Sequence, residues 1–416
     1  MAITEEQAAI DYTPVYNKIE VAVSSTNVAQ TNFKFVFDVY IEGVSGYKRF
    51  KILPEPDYSL GVLDVARFLE SYVYNTMAQY DSVVPFSLGA NANGTASIIK
   101  WYIKYGEEYG STPTVYPDLT TSNNKYSWNG SLDFNDWIDF DYNDYICNIT
   151  NGASGQFLTD MKTNYVGIND AGWHHILSDT PTDVDYLVVK TYDSTGTLIQ
   201  TATKAISVAQ NLTASRMYKV ATSPDTLNNM TGAFVTGAQP IITSSVASYT
   251  VQLTNSASAV ASEILYFTID EACRYDRQRV HFVNRFGSFD SFNFDLRSTK
   301  KRTHTKKSYK SNKYPVTASG TSYSHSDWSN IDHYNEITET LKLTSKPLTT
   351  EQHDWLKQLI ESNEVYLEFT DADSAKNFKA VTIVNTEWVR KVESEDKIVL
   401  LEIELAMSHN SYRQRR

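Results

Sequence analysis

The chain has 416 residues, which is too long for one ordinary domain, and a net charge of −12, which argues against nucleic-acid binding by the whole surface. Hydrophobic residues make up 41% of the sequence, enough for several cores, so wholesale disorder is excluded. The two cysteines exclude a disulfide scaffold and a four-cysteine zinc module.

Short strands dominate the predicted secondary structure, because apolar and polar residues alternate with a period of two in many segments. A helical spacing of apolar residues occurs over 62–77. We therefore predict a β-rich domain over residues 1–150 with one flanking helix. Its predicted strands lie over 19–24, 33–40, 47–52 and 98–105.

The segment 151–272 is rich in Ser, Thr, Asn and Gly and carries few charges. A strand over 186–191, a turn over 193–196 and a strand over 198–203 predict a hairpin. Further predicted strands lie over 217–221, 248–253 and 263–270. Turn-separated strands of this length predict a β-sandwich of the immunoglobulin or fibronectin type.

The segment 335–416 predicts a small α+β module. Thr349 lies three residues before Gln352, and this spacing predicts a capping box at the start of a helix. Predicted strands lie over 336–343, 365–369, 381–384 and 398–406. The sequence as a whole therefore predicts a mainly β, multidomain protein with sandwich-type domains and this C-terminal module.

The strongest local anomaly is a basic segment over residues 274–313, which lies within the predicted division 273–334. It holds twelve basic and three acidic residues, so its charge is +9 while the remaining chain carries −21. Its first half is densely aromatic. Its second half, 298–312, is rich in Lys, Ser and Thr without apolar periodicity, which predicts a loop or an extended basic arm.

Three roles of this basic segment are open. In the first, the segment binds nucleic acid through phosphate contacts and stacked aromatic rings. In the second, it docks onto an acidic patch of a neighbouring subunit. In the third, it is a solvated loop. An acidic protein with one basic arm suits ring-type self-assembly, so docking is preferred and nucleic-acid binding is not expected. The candidate subunit-interface residues are Arg285, Phe286, Phe289, Phe292, Arg297, Lys300, Lys301, Arg302, Lys306, Lys307, Lys310 and Lys313.

One acidic stretch resembles a metal site at its start. Asp139, Asp141 and Asn143 match the opening of a calcium loop. However, Asp144 stands where a glycine is needed and Thr150 stands where a bidentate glutamate belongs. We expect instead a strand whose aspartates lie on one solvated face.

Other chemically capable residues form no recognisable catalytic group. The pair His174–His175 diverges if it lies on a strand, so the two rings cannot easily share a metal. Cys147 lies among apolar residues, which is typical of an inert buried thiol. The segment around Cys273 contains no histidine that could act as its catalytic partner. We expect that the protein is not an enzyme, has no catalytic residues and carries no cofactor or metal.

Several segments resemble a known group of proteins. Residues 285–292, Arg-Phe-Gly-Ser-Phe-Asp-Ser-Phe, resemble an Asn-Arg-Phe/Tyr-Gly-Gly-Phe-Asp motif, although Ser288 stands where a second glycine is expected. The motif occurs in tail-associated virion proteins of tailed bacteriophages that infect Bacteroidetes-type hosts, crAss-like phages among them. Segments 23–40, 129–134 and 348–367 resemble the same group.

This resemblance implies a structural virion protein of a tail, neck or baseplate, built from β domains and assembled as a homo-oligomeric ring with other virion proteins. It carries over no active-site residues. The alternative is a receptor- or glycan-binding adhesin of the virion, in which exposed tryptophans stack on sugar rings. The candidate tryptophans are Trp101, Trp128, Trp137, Trp173 and Trp328.

The expected location is the virion, after folding in the host cytoplasm. No run of the sequence approaches 18 apolar residues, so we expect no membrane partner. The first 20 residues carry Glu5, Glu6 and Asp11 and lack the basic start and apolar stretch of a secretory signal.

Overall fold

The protein is mainly β, with 49% of residues in strands and 9% in helices, as the sequence predicts. The computed structural model describes residues 3–74, 86–88, 97–115, 119–147, 154–179, 184–206, 217–230, 232–255, 259–271, 275–310, 316–322, 324–371, 376–385, 387–389 and 399–412. The chain divides into two compact units. The first comprises Met1–Glu271 and Val283–Ser291, and the second comprises Ala272–Phe282 and Phe292–Arg416. The four-part division of the sequence stays a prediction.

Nineteen described strands precede residue 271. They are β1 (Ile3–Gln7), β2 (Tyr12–Pro14), β3 (Glu20–Ser25), β4 (Lys34–Ile41), β5 (Lys48–Ile52), β6 (Gly61–Asp64), β7 (Phe86–Leu88), β8 (Ile98–Tyr109), β9 (Thr114–Val115), β10 (Thr120–Thr121), β11 (Lys125–Trp128), β12 (Ile146–Cys147), β13 (Thr163–Val166), β14 (Trp173–Ser178), β15 (Tyr186–Tyr192), β16 (Leu198–Ala205), β17 (Met217–Ala221), β18 (Ser248–Thr254) and β19 (Leu265–Ile269). The helices are α1 (Ala66–Leu69), α2 (Phe134–Ile138) and α3 (Pro224–Asn228), with 3-10 turns at Glu70–Tyr72 and Tyr142–Asp144.

These strands form four sheets. Their hydrogen-bonded orders are β1-β3-β6, β2-β11-β8-β4-β5, β12-β14-β17-β7 and β13-β19-β18-β15-β16, with β9 and β10 also paired to β8. The predicted hairpin is present as β15 and β16, and Asp193 closes its turn by accepting hydrogen bonds from the N–H groups of Thr195 and Thr197. Gly196 in this turn has φ +80°, a conformation that glycine adopts without steric cost.

Ten further strands and two helices follow in the chain. They are β20 (Gln278–Val283), β21 (Phe289–Phe294), β22 (Thr299–Lys310), β23 (Val316–Thr317), β24 (Gly320–Thr321), β25 (Asn330–Thr344), α4 (Thr350–Trp355), α5 (Lys357–Glu361), β26 (Val365–Thr370), β27 (Lys376–Ile383), β28 (Glu402–Met407) and β29 (Ser411–Tyr412). One sheet has the order β21-β20-β26-β27-β28-β25-β22, with β29 also paired to β25, and β23 pairs with β24.

The cores follow the alternation in the sequence. Phe37 and Val39 of β4 pair in register with Tyr105 and Ile103 of β8, and all four side chains are buried in one cluster. This packing explains why polar and apolar residues alternate along both strands, since successive side chains point to opposite faces. Burial of the apolar face stabilises the sheet.

The predicted capping box at the start of α4 is confirmed. The Thr349 hydroxyl accepts a hydrogen bond from the Gln352 N–H at 3.2 Å, and the Gln352 side chain accepts one from the Thr349 N–H at 3.1 Å. These bonds satisfy two backbone donors that the first helical turn leaves open. Trp355 then packs on Phe282, with ring centroids 5.5 Å apart.

The helix predicted over 62–77 is confirmed only over its middle part. Residues 61–64 form β6, in which Val62 pairs with Ala22 of β3, whereas α1 covers Ala66–Leu69 and the 3-10 turn Glu70–Tyr72 continues it. The Asp64 carboxylate accepts hydrogen bonds from the N–H groups of Ile19 and Ala66, which ends the strand and starts the turn. Pairing with β3 therefore overrides the helical spacing, and the end of the predicted helix lies outside the described residues.

The strand expected around Asp139 and Asp141 is also wrong. The chain forms α2 and then a 3-10 turn, Tyr142–Asp144, where the Asp141 carboxylate accepts a hydrogen bond from the Asn143 N–H at 2.9 Å. Short Asp and Asn side chains bond to nearby backbone donors and so favour caps and turns over strands.

Candidate functional site

The basic residues of the sequence lie on an edge strand. Residues 299–310, predicted as a loop or arm, form β22, which pairs antiparallel with β25 from Thr299↔Lys342 to Lys310↔Asn330. β22 is last in the strand order of its sheet, so no described strand pairs with its outer edge. All twelve of its residues are exposed. A strand exposed on both faces has no apolar alternation, so periodicity could not have detected it.

Six of the twelve residues of β22 are basic, and β25 neutralises only part of this charge. Lys300 and Arg302 both pair with Glu339 and hold the pKa of its carboxyl below the usual range, chiefly through the Lys300 hydrogen bond. Lys306 lies 3.5 Å from Asp332.

Other cations near this edge have no such partner. Arg297, Lys301, Lys307 and Lys310 form no ion pair with any described residue, although Lys307 lies 5.2 Å from the centre of the Tyr334 ring. Lys313 lies outside the described residues. β22 therefore presents a row of solvated positive charges beside an open strand edge.

A groove of about 660 Å³ adjoins β22 in the second unit. Arg302 and Glu339 lie at its wall, and Tyr366, Phe378 and Tyr412 supply aromatic surface. The volume is within the range of small-molecule sites. This groove could not have been predicted from the sequence, because its lining comes from segments far apart along the chain.

Five residues of the aromatic motif, 286–290, are buried inside the chain, and the other three are half-buried. The Asn284 side chain accepts hydrogen bonds from the N–H groups of Phe286 and Ser288, each at 3.0 Å, and donates one to the Leu158 carbonyl at 2.8 Å. The Trp128 indole N–H donates to the Phe286 carbonyl at 2.9 Å. This turn, Asn284–Ser288, is therefore fixed by the Asn284 side chain, the Leu158 carbonyl and the Trp128 indole, all within the first unit.

Arg285 holds the same turn by ion pairs within the first unit. Its guanidinium pairs with Asp136 and lies 2.8 Å from Asp160. Burial alone would lower the pKa of Arg285. The negative charge of Asp160 and its hydrogen bond to the guanidinium outweigh burial, so the pKa of Arg285 is raised. Phe286 and Phe289 are only 2% and 3% exposed.

The described residues among the twelve interface candidates differ in exposure. Phe286 and Phe289 are buried, and Phe292 packs at 5.0 Å on Phe294 and at 6.1 Å on Trp355. These three rings have little area to offer a neighbour. The candidate residues on β22, in contrast, are exposed, so they are the accessible members of the described set.

A buried ionic cluster crosses four strands of the second unit. Glu368 on β26 accepts a hydrogen bond from His281 at 3.0 Å and pairs with Lys376 at 2.9 Å and Arg279 at 3.6 Å. Arg279 also donates to Asn293 at 2.9 Å. Burial raises the pKa of Glu368, but His281 and the two cations outweigh it and lower the pKa to about 2. The cluster stabilises the sheet that carries β22.

No metal site is found among the described residues, where no group of three or more His, Cys, Asp or Glu side chains converges. The His174 ring bonds to the Thr222 hydroxyl at 2.8 Å, and burial, with the charge of Lys219, lowers the pKa of His175 to about 3. Cys147 is buried, and Cys273 lies outside the described residues. No described helix is both long and apolar enough to cross a membrane.

Comparison with known proteins identifies no family. Neither a family model nor a curated protein matches the sequence. A crystal structure of CBD12 from CALX1.2 aligns at 9% identity over 59% of this chain and 80% of that chain, with a TM-score of 0.17. A similarity this weak carries no argument about fold or function.

Proposed function

We propose that the protein is a structural component of a phage tail, neck or baseplate, which assembles as a homo-oligomeric ring and docks neighbouring virion proteins. The observation that carries the proposal is the exposed basic edge of β22 on an otherwise acidic chain. A sandwich-type arrangement of residues 151–272 and a role of β22 as a docking arm belong to the same proposal.

The physical argument starts from the open edge. An unpaired strand edge offers N–H and C=O groups to another chain, and lysines on such an edge oppose unselective aggregation. The same lysines favour a partner that carries negative charge. Since the chain outside 274–313 carries −21, a second copy supplies that charge. The virion resemblance of residues 285–292 and three other segments supports the same class of protein.

Charge reversal on β22 tests the assembly. Lys301→Glu, Lys307→Glu and Lys310→Glu together remove three cations that have no ion pair among the described residues, so the fold loses little. Sedimentation velocity is expected to show oligomers of the wild-type chain that dissociate in this variant and in high salt, which screens exposed charges. A wild-type chain that stays monomeric contradicts the proposal.

A matched control separates the site from the total charge. Lys48→Glu, Arg67→Glu and Lys190→Glu change the same number of exposed cations on other elements and should leave the oligomers intact. Virion location is tested separately by mass spectrometry of purified particles of the phage that encodes the chain. Absence of its peptides from the particles would contradict a virion role.

A second candidate function, glycan binding, is favoured by the groove beside β22. Its aromatic residues Tyr366, Phe378 and Tyr412 are suited to stacking on sugar rings, and Arg302 and Glu339 are suited to hydrogen bonding with hydroxyl groups. Among the tryptophans considered from sequence, Trp101, Trp128 and Trp173 are buried and Trp328 is 61% exposed. A glycan array with the wild-type chain and with Tyr412→Ala tests this candidate, and a flat result removes it.

A further inference from the structure

Helix α2 presents an apolar face to solvent. Phe134 is 73% exposed and Ile138 is 63% exposed. The two residues are four apart, so their side chains lie on the same face of the helix. Single exposed apolar residues are common, but two large ones side by side on one short helix indicate a surface that a partner covers.

The chain around this face is strongly acidic. Residues 133–144 contain five aspartates and no basic residue. Asp136 pairs with Arg285, and Asp141 bonds locally to Asn143, whereas Asp139 and Asp144 are exposed and form no ion pair with a described residue. The apolar face is thus framed by negative charge that the first unit neutralises only in part.

We propose that this α2 face receives β22 from a second copy of the same chain. The inference rests on the proposed function and specifies the partner surface. β22 provides what the face lacks: Lys301, Lys307 and Lys310 without an ion pair among the described residues, and Tyr309, which is 50% exposed. Lys307 and Lys310, which lie beside Tyr309 along β22, approach the aspartates while Tyr309 covers apolar area, a combination that gives both orientation and burial.

The geometry of such a contact has a consequence for assembly. The two surfaces differ, so a copy can use α2 toward one neighbour and β22 toward another, which produces a closed ring or an open filament. Two copies can instead exchange both contacts in a two-fold dimer. The mass of the wild-type oligomer separates the ring that the proposed function requires from this dimer.

Two variants, each with one disabled surface, test the inference directly. The first carries Lys301→Glu, Lys307→Glu and Lys310→Glu, and the second carries Phe134→Ser and Ile138→Ser. Each variant alone should be monomeric at concentrations where the wild type assembles. An equal mixture should form a one-to-one dimer, because one intact α2 face meets one intact β22. Light scattering after size exclusion measures both masses.

The expected loss of affinity at the single contact is at least tenfold for each variant. Leu198→Ser with Ile199→Ser is the matched control for the apolar change, since these residues are 51% and 43% exposed and lie on β16. This control should assemble like the wild type. Thermal unfolding and circular dichroism check that all variants are folded.

The outcomes separate the inference from the proposed function. If the wild type assembles and the Phe134/Ile138 variant assembles equally well, the α2 face is not the partner surface, although the proposed function stands. If both variants are folded monomers but their mixture stays monomeric, the pairing of these two surfaces is refuted. If the wild-type chain is monomeric up to about 100 μM, both the proposed function and this inference are wrong.

Discussion

Replacement of Glu368 by glutamine tests whether the buried ionic cluster stabilises the second unit. Glu368→Gln keeps the size and hydrogen-bonding capacity of the side chain but removes its negative charge. The buried side chains of His281 and Arg279 then lose the carboxylate that lies within 3.0 and 3.6 Å of them, and the half-buried Lys376 loses its partner at 2.9 Å. We expect a large loss of stability, because an uncompensated charge is left in the interior.

The magnitude follows from the pKa of Glu368, which the cluster lowers from 4.5 to about 2. At about 1.4 kcal/mol per pKa unit, the charged carboxylate contributes about 3 kcal/mol to the free energy of unfolding. Breaking a buried ion pair costs about 3–5 kcal/mol in general, which agrees. Since the folded pKa is the lower one, this stability is present above pH 4.5 and is lost as the pH falls through 2.

The assay is hydrogen exchange of peptides from β20 and β26 in increasing urea, which reports the unfolding free energy of this sheet locally. Glu361→Gln is the control, because Glu361 forms an exposed pair with Lys357 at 3.3 Å and should contribute under about 1 kcal/mol. The difference between wild type and Glu368→Gln should shrink from pH 5 toward pH 2. A loss below about 1 kcal/mol, or one that does not change with pH, would refute the role of the cluster.

Two further predictions concern the first unit. In urea unfolding, Gly287→Ala should destabilise this unit by about 1–3 kcal/mol more than Gly196→Ala. Both glycines have a positive φ, but only a Cβ at Gly287 meets the Asn129 backbone. Equal losses of stability would show that this close approach is unimportant. The melting temperature of this unit should fall as the pH decreases from 6.5 toward 3, since unfolding lets His175 take up a proton that burial, with Lys219 nearby, denies it. His175→Gln should flatten that profile, and an unchanged slope would assign it to other groups.

The fold could be predicted where one local rule decided it. The alternation in β4 and the Thr349 capping box follow from side-chain direction and from backbone donors within four residues. The 3-10 turn Tyr142–Asp144 could not be predicted, because Asp139 to Tyr142 alternate like a strand while the Asp141 side chain bonds to the nearby backbone and favours a turn. The Glu368 cluster could not be predicted either, since His281 lies 87 residues away and only the sheet brings the two together.

The family resemblance and the proposed interface involve different residues. Arg285 and Phe286 are bound by Asp160, Asp136 and Trp128 of the same unit, so the motif stabilises a turn. Its presence in another chain would therefore indicate a shared local fold more than a shared partner. The exposed charges of β22 are not under that packing constraint. Under the proposed function, the choice of neighbour would therefore depend on the edge strand and could change without disturbing the motif.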